Sequence, residues 1–288
     1  MNGFLNLYKP KGVSSAYVLN AVKRAIKGET VGHMGTLDPL ASGVLPVAIG
    51  KSTRLFDYLL DKKKEYVATI AFGYSTDTYD LEGKIVERRD VLPNEETVKE
   101  ACMKLVGEIM QIPPAFSAKC VNGKRSYELA RKGQTVDLPP KKITIYSIDV
   151  TEKISAEEYR IKIVCGGGTY IRSIARDLGV LCGTCATMTA LERTASGPFR
   201  IENSITADEF KSSTYKSALL TPPDEVIDYP VINLTEKQTE RLYNGLYDDY
   251  DYPDGIYRVY SPTAFYGVGE VRGGKIKVKA YLRDNEDI

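Results

Sequence analysis

Asp38 stands in the stretch GHMGTLDPLASGVLPVAIG (residues 32–50), a glycine-punctuated apolar run in which it is the one charged side chain. A lone carboxylate in such surroundings takes up a proton unless the fold brings it a cation or hydrogen-bond donors. If it is so supported, it can act as a nucleophile or an acid-base group. Pro39 pushes Asp38 out of the helical region onto extended backbone, and Gly35 and Gly43 on either side let a ligand or another strand come close. The same residues spell an aspartate-proline turn, a common structural use of the pair. Residue chemistry alone leaves both readings open. The sequence offers Asp38 no metal partners. Asp57 and Asp61 fall on a later helical stretch, and Asp77, Asp80 and Glu82 lack the spacing of a calcium loop.

A cation for Asp38 must come from elsewhere in the chain. Arg172 is a candidate, at the edge of the apolar stripe Ile171, Ile174, Ala175 and Leu178, where it can lie along the core; an ordinary solvated arginine beside Arg176 is the alternative. Gly166–Gly168 before that helix lacks the GK[ST] of a phosphate-binding loop and the third glycine of a dinucleotide fingerprint, which argues against a nucleotide cofactor. Tyr66 ends the basic run Lys62–Lys64 and shares a strand face with Ile70 and Phe72. It reads as a core aromatic or as a ring that stacks on an unpaired base. His33, the only histidine, reads as a loop residue or as a polar ring against a base.

The elements that must position these residues follow from pattern. FLNLY is a short strand, and Ser14 or Ser15 caps a helix with Val18, Ala21, Val22, Ala25 and Ile26 inward. EYVATIAFG alternates as a strand, with IVERR returning as its hairpin partner. Asn94 caps a helix with Val98, Ala101, Cys102 and Leu105 inward. KITIYSIDV and EYRIKIVC are strands, and the glycine triplet opens a helix that Gly179 closes. Residues 111–142 are rich in proline, glycine and lysine, a length of irregular chain that usually moves or binds something. After residue 228 come a capped helix, TEKQTERLYNG, and the short strands of GIYRVY, AFYGVGEV and KIKVKAYL. Hairpin connections outnumber helical crossovers, so the expected class is α+β: a mixed, largely antiparallel sheet with flanking helices and loops, plus a small β-rich C-terminal module.

Composition narrows the function classes. The 288 residues carry a formal net charge of +1, so charge distribution matters more than its sum. Positive charge gathers at Lys62–Lys64 and again around Lys119, Lys124, Arg125, Arg131 and Lys132, and negative charge collects late, in DDYDYPDG. No apolar run reaches membrane-spanning length, and the expected location is cytoplasmic. The five cysteines are scattered. The CxxC pair Cys182/Cys185 has no second pair to complete a zinc site, so packed reduced thiols are expected.

GHMGTLDPLASGVLPVAIGKSTR resembles the signature of the TruB family of tRNA pseudouridine-55 synthases. NGFLNLYKPKGVSS, KKKEYVATIAFGYSTDTYDLEG, QIPPAFSAKCVNGKRSYELARKG and CGGGTYIRSIARDLG resemble the family's other blocks, in family order, over residues 2 to about 193. The tail FYGVGEVRGGKIKVKAYL is loosely similar to PUA-like RNA-binding modules. The resemblance implies a pseudouridine synthase fold, with a catalytic domain over 1–228 containing a thumb-like basic segment at 117–142. A PUA-like domain would follow over 229–288.

It implies Asp38 as catalytic nucleophile, with Tyr66 on the target uracil and Arg172 paired with the aspartate. Tyr170 and Leu191 would line the pocket, and His33 would contact loop nucleotides as the base turns out. Lys9, Lys119, Lys124 and Arg125 would contact the RNA. The implied reaction isomerises a uridine at position 55 in the T-loop of tRNA after base flipping, with no cofactor and no metal. The partner would be the tRNA T-arm, with no membrane, no obligate protein partner and a monomeric enzyme. Alternatives are an RNA-binding or tRNA-folding protein using the same surface, or a guide-RNA-dependent synthase subunit.

Overall fold

A computed structural model describes the chain apart from residues 60–61, 118–119, 122–123, 127–128, 130–133, 135–137, 247–249 and 283–288; of the side chains over 120–125 nothing is described. Its centre is a ten-stranded sheet. The strand order is Leu220–Thr221, Gly3–Lys9, Ser42–Ile49, Ala186–Ser196, Lys64–Phe72, Glu158–Cys165, Lys141–Lys153 and Gly107–Gln111. Val31–His33 pairs beside Ser42–Ile49, and Phe199–Arg200 beside Ala186–Ser196. Neighbours run antiparallel except at the junction of Ser42–Ile49 with Ala186–Ser196, where Glu192 faces Ser42 and Arg193 faces Gly43 in parallel register.

Alternation explains which face each strand buries. From Gly3–Lys9, Leu5 and Leu7 join the core cluster that also takes in the inward faces of the helices Ser15–Ala25, Glu95–Lys104 and Ile171–Leu181, while Phe4 points to the opposite face. Ser42–Ile49 is buried on both sides, with Leu45, Val47 and Ile49 toward the helices and Val44 and Ala48 away from them. A doubly buried strand reads as a continuous apolar run, and VLPVAI is one. Each of Val44, Leu45, Val47 and Ile49 contributes roughly 1.5–3 kcal/mol by leaving water. Caps hold the helices as expected: Ser14 accepts from Tyr17 N–H at 3.1 Å, and Asn94 accepts from Thr97 N–H at 2.8 Å.

The far face of the sheet is covered in part by a separate four-stranded sheet of Val231–Asn233, Gly255–Tyr260, Phe265–Arg272 and Lys275–Tyr281. Its Val268, Ala280 and Leu282 join Phe4, Val44, Ala48 and Leu55 in one apolar cluster, and Ile232, Leu242, Val259 and Ile276 form a core of its own. The helix Glu236–Tyr243 packs there, opened by a capping box of Thr235 and Gln238.

Two expectations need correction. IVERR does not pair with the long strand Lys64–Phe72. Ile85–Arg88 pairs instead with the short strand Tyr74–Thr76, and its residues are exposed. The long strand has both edges occupied, by Glu158–Cys165 and Ala186–Ser196, so no edge remains for a hairpin. Gly179 does not close its helix, which continues to Leu181. A Cβ on Gly179 would lie 2.6 Å from the Ala186 nitrogen, so the glycine gives the helix room to lie against the next strand.

Candidate active site

Asp38 sits in the connection between Val31–His33 and Ser42–Ile49. Its carbonyl accepts from Ala41 N–H at 3.0 Å, closing a turn with Pro39 in second place. The turn reading is therefore right for the backbone, while the carboxylate has other business. Oδ2 of Asp38 lies 2.9 Å from Nη2 of Arg172, and the Asp38 side chain is 36 % exposed against 9 % for the arginine. The carboxylate is thus held from behind and open in front.

Arg172 is fixed by more than this pair. Nη1 lies 3.4 Å from Oδ2 of Asp80 and donates to the Thr78 carbonyl at 3.2 Å; Nη2 also donates to the Phe116 carbonyl at 3.0 Å. Asp80 is 2 % exposed and accepts from the Thr78 hydroxyl at 2.6 Å and from Glu82 N–H at 3.0 Å. One guanidinium fork therefore ties together the aspartate loop, the TDTYDLEG turn and the start of the basic segment. Around it, partial burial pushes the Glu82 carboxyl up, helped by Asp80 and Asp38 and opposed by Arg172 and Lys9.

The loop has its own braces. The buried Ser15 hydroxyl donates to the Leu37 carbonyl at 2.8 Å and accepts from Leu37 N–H at 2.9 Å, and Gly12 N–H donates to the Pro39 carbonyl at 2.8 Å. Lys9, expected to contact RNA, is instead fully buried. Its Nζ donates to the carbonyls of Pro10 at 3.0 Å and Val13 at 2.7 Å, shaping the segment that braces the loop. Burial holds its ammonium down, to about 8, against the attraction of Asp38 and Glu82.

Tyr66 lies on Lys64–Phe72, 7 % exposed and opposite Arg193 in register. Burial pushes its phenol up; Arg193, within hydrogen-bonding reach, pulls the other way, and Asp38 adds to the rise. Leu191, one alternation before Arg193 on the same face, is buried against Ala68 of that strand. Tyr170 caps the arginine helix; its backbone N–H donates to Gln111 Oε1 at 2.9 Å and its carbonyl accepts from Gln111 Nε2 at 3.1 Å. Burial pushes the Tyr170 phenol up as well, with Arg172 opposing. Ser173 donates to the Ile112 carbonyl at 2.9 Å, so residues 111–116 are sewn to this helix.

His33 is half-buried, and its Nδ1 is enclosed without a hydrogen-bond partner among the described residues. Burial holds its pKa below the ordinary 6.5, aided by Arg193 and Lys23, which favours the neutral ring. Lys119 lies outside the described residues. Lys124 and Arg125 form a short hairpin strand paired with Cys120–Val121, their side chains lying outside the description. Cys182 and Cys185 are buried free thiols.

Asp38 with His33, Tyr66, Tyr170 with Arg172, and Leu191 thus come from four stretches of chain to one side of the sheet. Two residues of the same site were not singled out from sequence. Asp80 hides in an acid-rich turn that fails as a calcium loop. Arg193 is signalled only by sharing strand parity with Leu191.

Comparison with known proteins places the chain in a family. Residues 23–171 match the family model "TruB family pseudouridylate synthase (N terminal domain)", and residues 172–228 match "tRNA pseudouridylate synthase B C-terminal domain". A tRNA pseudouridine synthase B of Francisella philomiragia is 38 % identical, covering 98 % of this chain and 95 % of its own. Another, of Clostridium kluyveri, is also 38 % identical, over 93 % of this chain and 95 % of its own. Among solved structures, one of a Cbf5-Nop10-Gar1 complex matches with TM-score 0.73 and 25 % identity, covering 99 % of this chain and 86 % of that one. An H/ACA RNP bound to a substrate RNA matches with TM-score 0.72 at 23 % identity, over 99 % and 86 %. The fold is that of a pseudouridine synthase, an isomerase. The chain belongs to the TruB family of pseudouridylate synthases.

Among the described residues, no helix is long and apolar enough to cross a membrane.

Proposed function

We propose that this protein converts a uridine of tRNA, at position 55 in the T-loop, to pseudouridine, with Asp38 as the nucleophile. The observation that carries this reading is the Asp38 carboxylate, ion-paired to Arg172 at 2.9 Å from one side and open to solvent on the other. The relatives named tRNA pseudouridine synthase B support tRNA as substrate. The reaction breaks the bond from the ribose C1′ to N1 and makes one from C1′ to C5. The C5 hydrogen leaves as a proton and N1 gains one, so atoms and electrons balance without any redox partner. Asp38 attacks base or sugar to free the uracil for rotation.

A base in a folded loop must leave its stack first, at a cost of a few kcal/mol. Tyr66 and His33 would offset that cost, since stacking on an aromatic is worth roughly 1–3 kcal/mol per base. The thumb-like segment 117–142 would close over the RNA, its base anchored through Phe116 to Arg172. The catalytic domain would span 1–228, and 229–288 would be a PUA-like RNA-binding domain supported by its separate four-stranded sheet.

The likeness to a protein solved in a Cbf5-Nop10-Gar1 complex favours a second reading, a subunit that needs a guide and partners. Incubation of the purified chain alone with an unmodified tRNA transcript separates the two. Pseudouridine at position 55 is expected, and its formation only with added partners would reverse the choice.

A further inference from the structure

Arg193 is 1 % exposed and sits on the strand Ala186–Ser196, with Gly43 across the parallel junction and Tyr66 across the antiparallel one. Directly opposed antiparallel residues send their side chains to one face, with Cβ atoms about 4.5–5.5 Å apart. The two side chains therefore share a face, and Arg193 acts on the Tyr66 phenol through its charge and as a hydrogen-bonding partner. Its nitrogens reach on to the loop: Nε donates to the Val44 carbonyl at 2.7 Å, and Nη2 to the Gly35 carbonyl at 3.1 Å. Gly35 adopts φ 95°, and a Cβ there would lie 3.6 Å from Nη1. One side chain thus grips the segment carrying Asp38 on both sides of the aspartate, and it adjoins the tyrosine expected to meet the base.

A guanidinium has donors only. Toward a phenol it donates, the phenol oxygen accepts, and the phenol's own proton is left to point elsewhere. A buried cation is costly without a counter-charge, and no carboxylate forms an ion pair with Arg193 among the described residues. Backbone carbonyls hold it instead. Its charge acts outward on Tyr66, His33 and Lys9, each of whose proton affinities it lowers.

We infer that Arg193 is a positioning residue for the reaction proposed above: it fixes the Tyr66 hydroxyl relative to the Asp38 loop and presents that hydroxyl to the base as a hydrogen-bond donor. This rests on the reading of the site as a uridine isomerase. A scaffold role would need only the carbonyls of Gly35 and Val44; the coupling to Tyr66 is what goes beyond it.

The test is a double-mutant cycle on single-turnover isomerisation in tRNA, using Arg193→Gln, Arg193→Lys, Tyr66→Phe and the two double variants, with tRNA affinity by filter binding. Arg193→Gln is expected to slow the chemical step about 10–100-fold with affinity kept within about threefold, and Arg193→Lys to recover part of that loss. In the Tyr66→Phe background either change is expected to cost less than about threefold, because coupled residues are not additive. Equal costs in both backgrounds would overturn the role of Arg193 while leaving the site's function intact. A wild-type chain that leaves tRNA uridine unchanged would overturn the functional reading itself, and this inference with it.

His33 supplies a second readout, because a single histidine gives one assignable ring signal. Its titration midpoint, below 6.5 in the wild type, is expected to rise in Arg193→Gln and to stay put in Arg193→Lys. An unmoved midpoint in folded Arg193→Gln would contradict the placement of that charge. Should Arg193→Gln fail to fold, Arg193→Lys, which keeps charge and length, carries the cycle.

Discussion

Gly43 and Arg193 face each other where Ser42–Ile49 runs parallel to Ala186–Ser196, so closely that a Cβ on Gly43 would lie 2.8 Å from the Arg193 nitrogen. The glycine of the Asp38 signature is therefore a condition for the strand that carries the buried arginine to dock. Gly43 also has φ 105°, which L side chains rarely adopt.

Gly43→Ala is accordingly expected to lower stability and to displace the loop with it. Overpacking a tight site costs about 1–3 kcal/mol, and the strained backbone adds to this. Thermal melting checks it. An alanine variant that melts with the wild type and keeps its activity would show that the junction is looser than the structure has it.

Arg172 joins a half-exposed carboxylate, Asp38, to a buried one, Asp80. Arg172→Met leaves Asp80 without its cation, and removing one partner of a buried pair costs about 3–5 kcal/mol. Urea denaturation is expected to show a loss of this order, together with loss of isomerisation. Arg172→Lys is expected to keep part of the stability but little activity, because one ammonium does not reproduce the fork that meets both carboxylates. Wild-type activity in the lysine variant would contradict the two-sided arrangement.

Lys9 gives a pH dependence with a definite sign. Folding lowers its pKa from 10.5 to about 8. Between those values the unfolded chain holds a proton that the folded chain has lost, so stability from this group rises with pH, by about 1.4 kcal/mol per unit at most. Below pH 8 the full cost of burying the ammonium is present. The stability difference between Lys9→Met and wild type is thus expected to change in favour of the wild type from pH 8 toward pH 10. A difference that stays flat over this range would contradict a buried, depressed Lys9.

Much of this site was legible in the chain. Asp38 was visible because Pro39 and the glycines set it apart, and its distant partner Arg172 because it sits at the edge of an apolar helical stripe. The strand Ala186–Ser196 was not, since CATMTALERTAS mixes small and polar residues whose burial comes from neighbours on both sides. Missing that strand also hid Arg193, although Leu191 lies one alternation away on the same face. The burial of Lys9 was hidden because a lysine beside a turn looks solvated, and only tertiary packing encloses it. Asp80 needed the Arg172 contact to be recognised at all.

The most direct measurement is tritium release from tRNA labelled at uridine C5, catalysed by Asp38→Asn and paired with tRNA affinity for the same variant. Asparagine keeps the shape of aspartate and removes its charge. The expected result is release at background level with tRNA affinity within about threefold of wild type, because phosphate contacts and stacking dominate binding. Turnover by Asp38→Asn at the wild-type rate would contradict Asp38 as the nucleophile.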